Sequence, residues 1–393
     1  MAISSLINPS GTPSIQDNLW SIAASTNSGQ TDFKFVFDVF KGNTQLVRAK
    51  VYPDPTTGRG YFDAGPVVRN EVTYTWFAPN GTVKMSTDSG IMETQYSIRV
   101  GEDYSGITTL NLSSGNVTAY NWRPPLFKRR KTTIKSNDFI TDRFLSAWHN
   151  FGENLYIGAN IDLTGTVNTL RIRVKTYNYS NTLIATNTNS AANTLKYVQL
   201  DIGADAINTL FGSSIITDSV KYYTVEVAIN GDGEGGGYVY KLFTVNMTCN
   251  GLYTPIPLHF MNNWGMFETA RFDLVSRLSM ELERKSFQKR DYVFGNSSVD
   301  YYTSNNVYYE SKVNYNLKEN WSYKLTMTPP TDEDYDWLAQ LIDSPQIYAC
   351  IDSNYYPVTI KETNYEYSKH QFNGLKALEI NIELNQPRNG FQR

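Results

Sequence analysis

The sequence predicts an all-β protein, with β-sandwich domains followed by a C-terminal β-rich unit that carries one short helix. Three observations predict it. Apolar and polar residues alternate repeatedly at a period of two, the pattern of strands with one buried face. Turn-forming Gly, Pro, Asn and Asp separate these runs at the short spacing of a sandwich. Apolar residues make up 40% of the 393, enough for packed cores and too many for a globally disordered chain. A chain of this length corresponds to two or three domains.

Residues 1–31 are rich in Ser, Asn, Gly and Pro and read as an extended N-terminal arm. A first β-sandwich is expected over 32–123. Phe33, Phe35, Phe37 and Val39 alternate with Lys34, Val36, Asp38 and Phe40. Gly42-Asn43 then turns the chain into a partner strand over 46–51. A loop over 53–59 and strands at 71–77, 95–100, 108–112 and 117–122 complete the domain. Pro124-Pro125 and Lys128-Arg129-Arg130-Lys131 mark a linker over 124–137. Proline stops regular structure, and a charge run stays solvated.

A second β-sandwich is expected over 138–249. Its strands fall at 155–163, 167–177, 183–186, 195–202, 219–229 and 238–247, with one short helix at 204–211. Residues 231–237, GDGEGGG, loop between its last two strands. The C-terminal domain spans 250–393. Over 272–282 the even positions are Phe272, Leu274, Ser276, Leu278, Met280 and Leu282, and the odd ones are mostly polar. A half-buried strand and a helix compete there, because Leu274, Val275, Leu278 and Leu282 also share a helical face. The β-rich surroundings favour the strand.

Further along, 299–327 reads as Tyr-rich strands. Thr331 caps a helix with Asp334 at the reciprocal position, and Tyr335, Leu338, Leu341 and Ile342 form its inward stripe. Strands follow at 347–351 and 358–367. Asn373-Gly374 turns into Leu378, Ile380, Ile382 and Leu384, which alternate with Glu379, Asn381 and Glu383.

No residue pattern points to catalysis, so the chain is read as a non-enzyme with no cofactor, catalytic or metal residue assigned. His149, His259 and His370 have no acidic or Cys neighbour at metal-ligand spacing. His259, between Leu258 and Phe260, reads as a packed residue with one satisfied nitrogen. The GDGEGGG loop lacks the ending of a phosphate-binding loop, and Asp232 and Glu234 lack calcium-loop spacing. No GxSxG elbow occurs. A glycosidase carboxylate pair is formally available among 38 acidic residues, but none stands out.

Charged residues are 19% of the chain and the net charge is −3, with no basic excess toward nucleic acid. The short basic run lacks interleaved aromatics that would stack bases, so it reads as a solvated linker or a contact for an acidic protein. Cys249 and Cys350 cannot form a disulfide scaffold. Two thiols suit a reducing cytoplasm, and one bridge between them stays open. The N-terminus has no basic-then-apolar signal pattern, and no apolar run is long enough to span a membrane. Tyr is abundant, at 28 residues. Tyr301, Tyr302, Tyr308 and Tyr309, with Trp321, form the candidate interface, since Tyr and Trp are favoured anchors. The alternative is that half of these rings face a core.

The stretch PLHFMNNWGMFETARFDL followed by SMELERKSFQKRDY resembles a segment of structural proteins from tailed phages infecting Bacteroidota, crAss-like phages among them. FKFVFDVFKGNTQLVRAKVYPDPTTGRGYFDAGPVV resembles their N-terminal β-domain. DEDYDWLAQLIDSPQIYACIDSNYYPVTIKETNYEYSK resembles their closing unit. The matches lie in order and leave the middle of the chain uncovered. The resemblance implies a tail or tail-hub protein, assembled in the host cytoplasm and resident in the virion. Its implied partners are other tail proteins and itself, in a ring of six or twelve copies. The alternative is a receptor-binding tail fibre whose partner is a host-surface glycan.

Overall fold

The computed structural model describes residues 3–11, 13–72, 84–86, 92–123, 138–143, 146–160, 169–192, 197–229, 242–248, 252–302, 305, 307–327, 332–361, 377–385 and 388–389. The protein is all-β, with three short helices among the described residues. It divides into two compact units. The first is Met1–Cys249 with Phe260–Thr269, and the second is Asn250–His259 with Ala270–Arg393.

The first unit opens with β1 (Ile3–Ile7), β2 (Trp20–Ser25), β3 (Lys34–Lys41), β4 (Thr44–Val51) and β5 (Gly60–Asp63). A short helix, Gly65–Arg69, leads to β6 (Lys84–Ser86), β7 (Glu93–Tyr104), β8 (Ile107–Ser113) and β9 (Val117–Tyr120). The described residues between 3 and 31 do not form the expected extended arm. Their β1 and β2 build a three-stranded sheet with β5. Ile3, Ile15, Leu19 and Ala23 are buried in one core with Phe33, Phe35, Phe37, Val39, Ile98 and Val100. The Ser- and Asn-rich composition masked these widely spaced apolar anchors.

The partner sheet runs β4-β3-β7-β8, with β9 also on β7. Gly42, at φ +59, takes the first corner of the two-residue β3–β4 turn. β3 is buried on both faces. Its second face holds Val36, Asp38 and Phe40. Arg48, the residue directly opposite on β4, grips Asp38 with two 2.7 Å hydrogen bonds. That contact raises the arginine pKa further. Arg99 lies over the Phe40 ring at 4.3 Å. Two arginines therefore cover this face where a second apolar layer would otherwise be needed.

A second core follows in the same unit. Its strands are β10 (Asp138–Phe139), β11 (Ser146–His149), β12 (Tyr156–Asn160), β13 (Thr169–Asn178), β14 (Leu183–Ala192), β15 (Tyr197–Asp201), β16 (Val220–Ile229) and β17 (Leu242–Met247). They form sheets ordered β10-β12-β15-β6 and β11-β17-β16-β13-β14. Leu155, Ile157, Val174, Leu200, Tyr223, Val225 and Val245 fill the core, and the helix Ala204–Phe211 adds Ala204 and Ile207. A buried polar node ties β15 to that helix. Asp201 accepts hydrogen bonds from Asn154 Nδ2, the Leu155 N–H and the Gly203 N–H. Burial nevertheless pushes its pKa above the usual carboxylate range. His149 Nε2 accepts from the Ala204 N–H at 2.9 Å, so this imidazole works as an acceptor for the helix start.

The second unit contains β18 (Ile256–Met261), β19 (Phe267–Phe272), β20 (Arg277–Gln288), β21 (Val293–Phe294), β22 (Val299–Asp300) and β23 (Lys312–Met327). The helix Asp332–Ile342 leads to β24 (Ile347–Ile351), β25 (Asn354–Ile360), β26 (Leu378–Leu384) and β27 (Arg388–Asn389). The sheet runs β19-β18-β24-β25-β26-β23-β20, with β27 on β23. Tyr335, Leu338 and Leu341 are buried on the helix as its periodicity predicts, joined by Trp337, while Ile342 is only half-buried. On β26, Ile380 and Ile382 are buried and Glu379 and Asn381 exposed. Asp352 and Ser353 both have positive φ in the tight β24–β25 turn. His259 is fully buried, with its ring 5.4 Å from that of Tyr355. Burial lowers its pKa to about 3.

The β18–β19 turn, within Phe260–Thr269, belongs to the first unit. Asn262 organises it. Its Oδ1 accepts from the Trp264 and Met266 N–H groups, and its Nδ2 donates to Ile140 O and Glu268 Oε1. Gly265 sits at φ +83, and a Cβ there would meet Asn121 O at 2.9 Å. Trp264 and Met266 enter a small core with Met92, Trp122, Ile140 and Tyr197.

Two outcomes follow. Asn262→Ala leaves several buried groups unpaired, each costing about 1–3 kcal/mol. Urea unfolding should show a loss of about 3 kcal/mol or more. His259 has a folded pKa below its unfolded value, so its stabilising contribution is complete above the unfolded pKa and lost as pH falls. Stability should fall from about pH 6.5 downward by up to about 1.4 kcal/mol per pH unit. His259→Phe should flatten that fall between neutral pH and the carboxylate range in pH-dependent urea titrations.

Candidate interaction surface

A long two-stranded ribbon emerges from the edge of the second unit's sheet. β20 and β23 pair antiparallel from Arg277↔Lys324 to Gln288↔Lys312. β26 covers the other side of β23 only over Ser322–Met327, and β27 only at Lys318 and Glu319. Past those positions the ribbon has no further strand among the described residues. A register shift between Lys285 and Ser286 leaves Tyr315 without a cross-strand partner, a bulge that raises local twist.

The predicted strand over 272–282 is therefore corrected in two ways. It is two strands: Phe272 ends β19, Arg277 begins β20, and residues 273–276 between them are not strand. The Leu274 N–H still bonds to Thr326 O at 3.1 Å, which aligns β20 with β23. Its even face is not the buried layer that the alternation implied. Every β20 residue except half-buried Leu282 is exposed; Leu278 is 51% and Met280 45% accessible. The alternation is genuine, but no second layer within the described residues covers it.

Beyond the ribbon, the Lys289 N–H bonds to Ser311 O and the chain enters a small tip. β21 and β22 pair there around a turn closed by the Gly295 N–H on Ser298 O. Tyr302 and Tyr308 form a bridge with edge-to-face rings, and the Tyr309 N–H bonds to Tyr301 O. Tyr292 contacts Phe294 and Tyr301 edge-on, and Arg290 lies over Phe294. Tyr301, Tyr302 and Tyr308 are exposed, Tyr308 to 75%, and Tyr309 is half-buried.

The tip thus gathers four of the five candidate interface residues. Trp321 is not among them. It lies back on the ribbon, half-buried and opposite Met280. Sequence reasoning missed Tyr292 and Phe294 at the tip, and Phe287, exposed on β20 with its ring beside that of Tyr315. The signal was the Gly-Asn-Ser-Ser turn between Val293-Phe294 and Val299, a short hairpin.

Among the described residues, no group of three His, Cys, Asp or Glu side chains could hold a metal ion. No helix is long and apolar enough to cross a membrane. Cys350 sits half-buried on β24. Cys249, His370, the basic run 128–131, the loop 231–237 and the helix-capping Thr331 lie outside the described residues.

No protein-family model matches the chain, and no curated protein does. Among solved structures, it is similar to the FN1–FN3 domains of chicken CNTN1, at 14% identity and a TM-score of 0.19. That match covers 63% of this chain and 66% of the other, just under two thirds. A second similarity is to the calcium binding domain CBD12 of CALX1.1, at 10% identity and a TM-score of 0.19, covering 58% and 82%. At such scores the all-β assignment rests on the strands themselves.

Exposure sets the expected outcome of substitution on β20. Leu278→Asp and Ser279→Asp should each change the stability of the isolated chain by no more than about 0.5 kcal/mol. Thermal unfolding of dilute protein measures this.

Proposed function

We propose that this chain is a structural virion protein of a tailed bacteriophage, a component of the tail hub or tail assembly that acts by protein–protein docking. The observation that carries this reading is the exposed ribbon with its aromatic tip. An isolated two-stranded hairpin is marginal in water, and exposed apolar rings on one are interface anchors in waiting. The resemblance adds its weight at both edges of this sheet. Its LHFMNNWGMFET block is the β18–β19 hairpin, and its ERK triplet lies in β20. On this reading the partners are other tail proteins and further copies in a ring of six or twelve, closed by head-to-tail contacts. The protein does its work in the virion, by holding neighbours in place.

A receptor- or glycan-binding fibre is the second reading. The clustered Tyr rings at the tip favour it, since exposed aromatic faces also suit sugars.

Cryo-electron microscopy of the virion tail tests both. Density for the chain around the tail axis, with the tip seated on a neighbour, is the expected result. Density only in peripheral trimeric fibres supports the second reading, and absence from particles removes both. Replacing residues 291–309 by a tight turn should leave the chain folded but exclude it from particles.

A further inference from the structure

We infer that β20 is a self-pairing edge: a second copy of this chain lays its own β20 antiparallel alongside, about a two-fold axis through Met280. This does not rest on the virion reading.

Two observations call for an occupant. The eight-stranded sheet ends in β19 on one side, where Phe267, Glu268, Thr269, Ala270 and Phe272 are all buried. On the other side it ends in β20, which is 12 residues long and has one neighbouring strand among the described residues. An outward row of N–H and C=O groups of that length is a template for another strand. Arg277 also lacks a carboxylate in its own chain among the described residues. It faces Lys324, whose ammonium is engaged by Glu379 at 2.6 Å.

The residue order identifies the occupant. From Arg277 to Glu283 the strand reads RLSMELE, which is self-complementary when run against itself. Opposed residues in an antiparallel pair share a face. With the axis at Met280, Arg277 opposes Glu283 of the second copy, Leu278 opposes its Leu282, Ser279 its Glu281, and the two Met280 side chains meet. Each pairing except that at the axis occurs twice. The apolar face of one ribbon continues into that of the other, and the unpartnered guanidinium finds a carboxylate. Moving the axis toward the tip sets Arg277 against Lys285 or Glu281 against Glu283. Mixed charge along the strand also argues against a polyanionic occupant such as nucleic acid. A two-fold contact closes on a pair, so a ring needs another surface, and the aromatic tip remains open for one.

Sedimentation velocity over a dilution series tests this. The unmodified chain should form a reversible dimer. Arg277→Glu and Glu283→Arg each create two like-charge contacts and should weaken dimerisation about tenfold or more. The double variant R277E/E283R should recover it. Opposed Cα atoms lie about 4.5–5.5 Å apart, within disulfide reach, so Met280→Cys should cross-link copies under mild oxidation far faster than Phe287→Cys. A chain that stays monomeric at its highest soluble concentration overturns the inference. So does a double variant that fails to recover, or equal cross-linking at the two positions. The dimer is read in solution and the tail location in particles, so either conclusion can fail alone.

Discussion

A strand presents a row of N–H and C=O groups on each side, and every one of them needs a partner. The second unit's sheet meets that demand unequally. At β19 the terminal strand is buried along almost its whole length. At β20 the terminal strand is open, exposed and continued into a ribbon. The molecule is therefore closed at one end of this sheet and unfinished at the other. Everything assigned to the interaction surface descends from that asymmetry: the uncovered apolar alternation, Arg277 with no carboxylate beside it among the described residues, and the exposed rings of the tip.

Buried polar groups do the opposite work, closing local structure. Asp38 lets β3 be covered on its second face by an arginine rather than by another sheet. Asp201 collects three donors where β15 bends into a helix. Asn262 serves four partners across one tight turn. At Asp201 and Asn262 the polar side chain stands where backbone groups would otherwise be stranded, and removing any of the three costs more than one hydrogen bond.

Strand content was readable because period-two alternation is local. Phe33, Phe35, Phe37 and Val39, Ile380 and Ile382, and Tyr335, Leu338 and Leu341 are buried as their spacing implies, although β3 is buried on its other face as well. The N-terminal segment misled because its anchors, Ile3, Ile15 and Leu19, are too far apart to show a period. The β20 alternation misled differently: a pattern states which face wants cover, and not which chain provides it. Tyr301, Tyr302, Tyr308 and Tyr309 were found by composition, while Tyr292 and Phe294 depended on seeing a hairpin. The Asn262 network was beyond reach, because Ile140 is distant in the chain and only folding brings it to the amide.

The β18–β19 hairpin has a consequence for dissecting this protein. Its tip belongs to the first unit, while its strands continue into the sheet of the second. The chain therefore passes from one unit to the other and back before settling. A fragment stopped at residue 249 would lack Trp264 and Met266, and its third small core would be left hollow. A cut at the boundary the sequence suggests would remove Phe260–Thr269 from the first unit, so separable pieces must be designed around the hairpin.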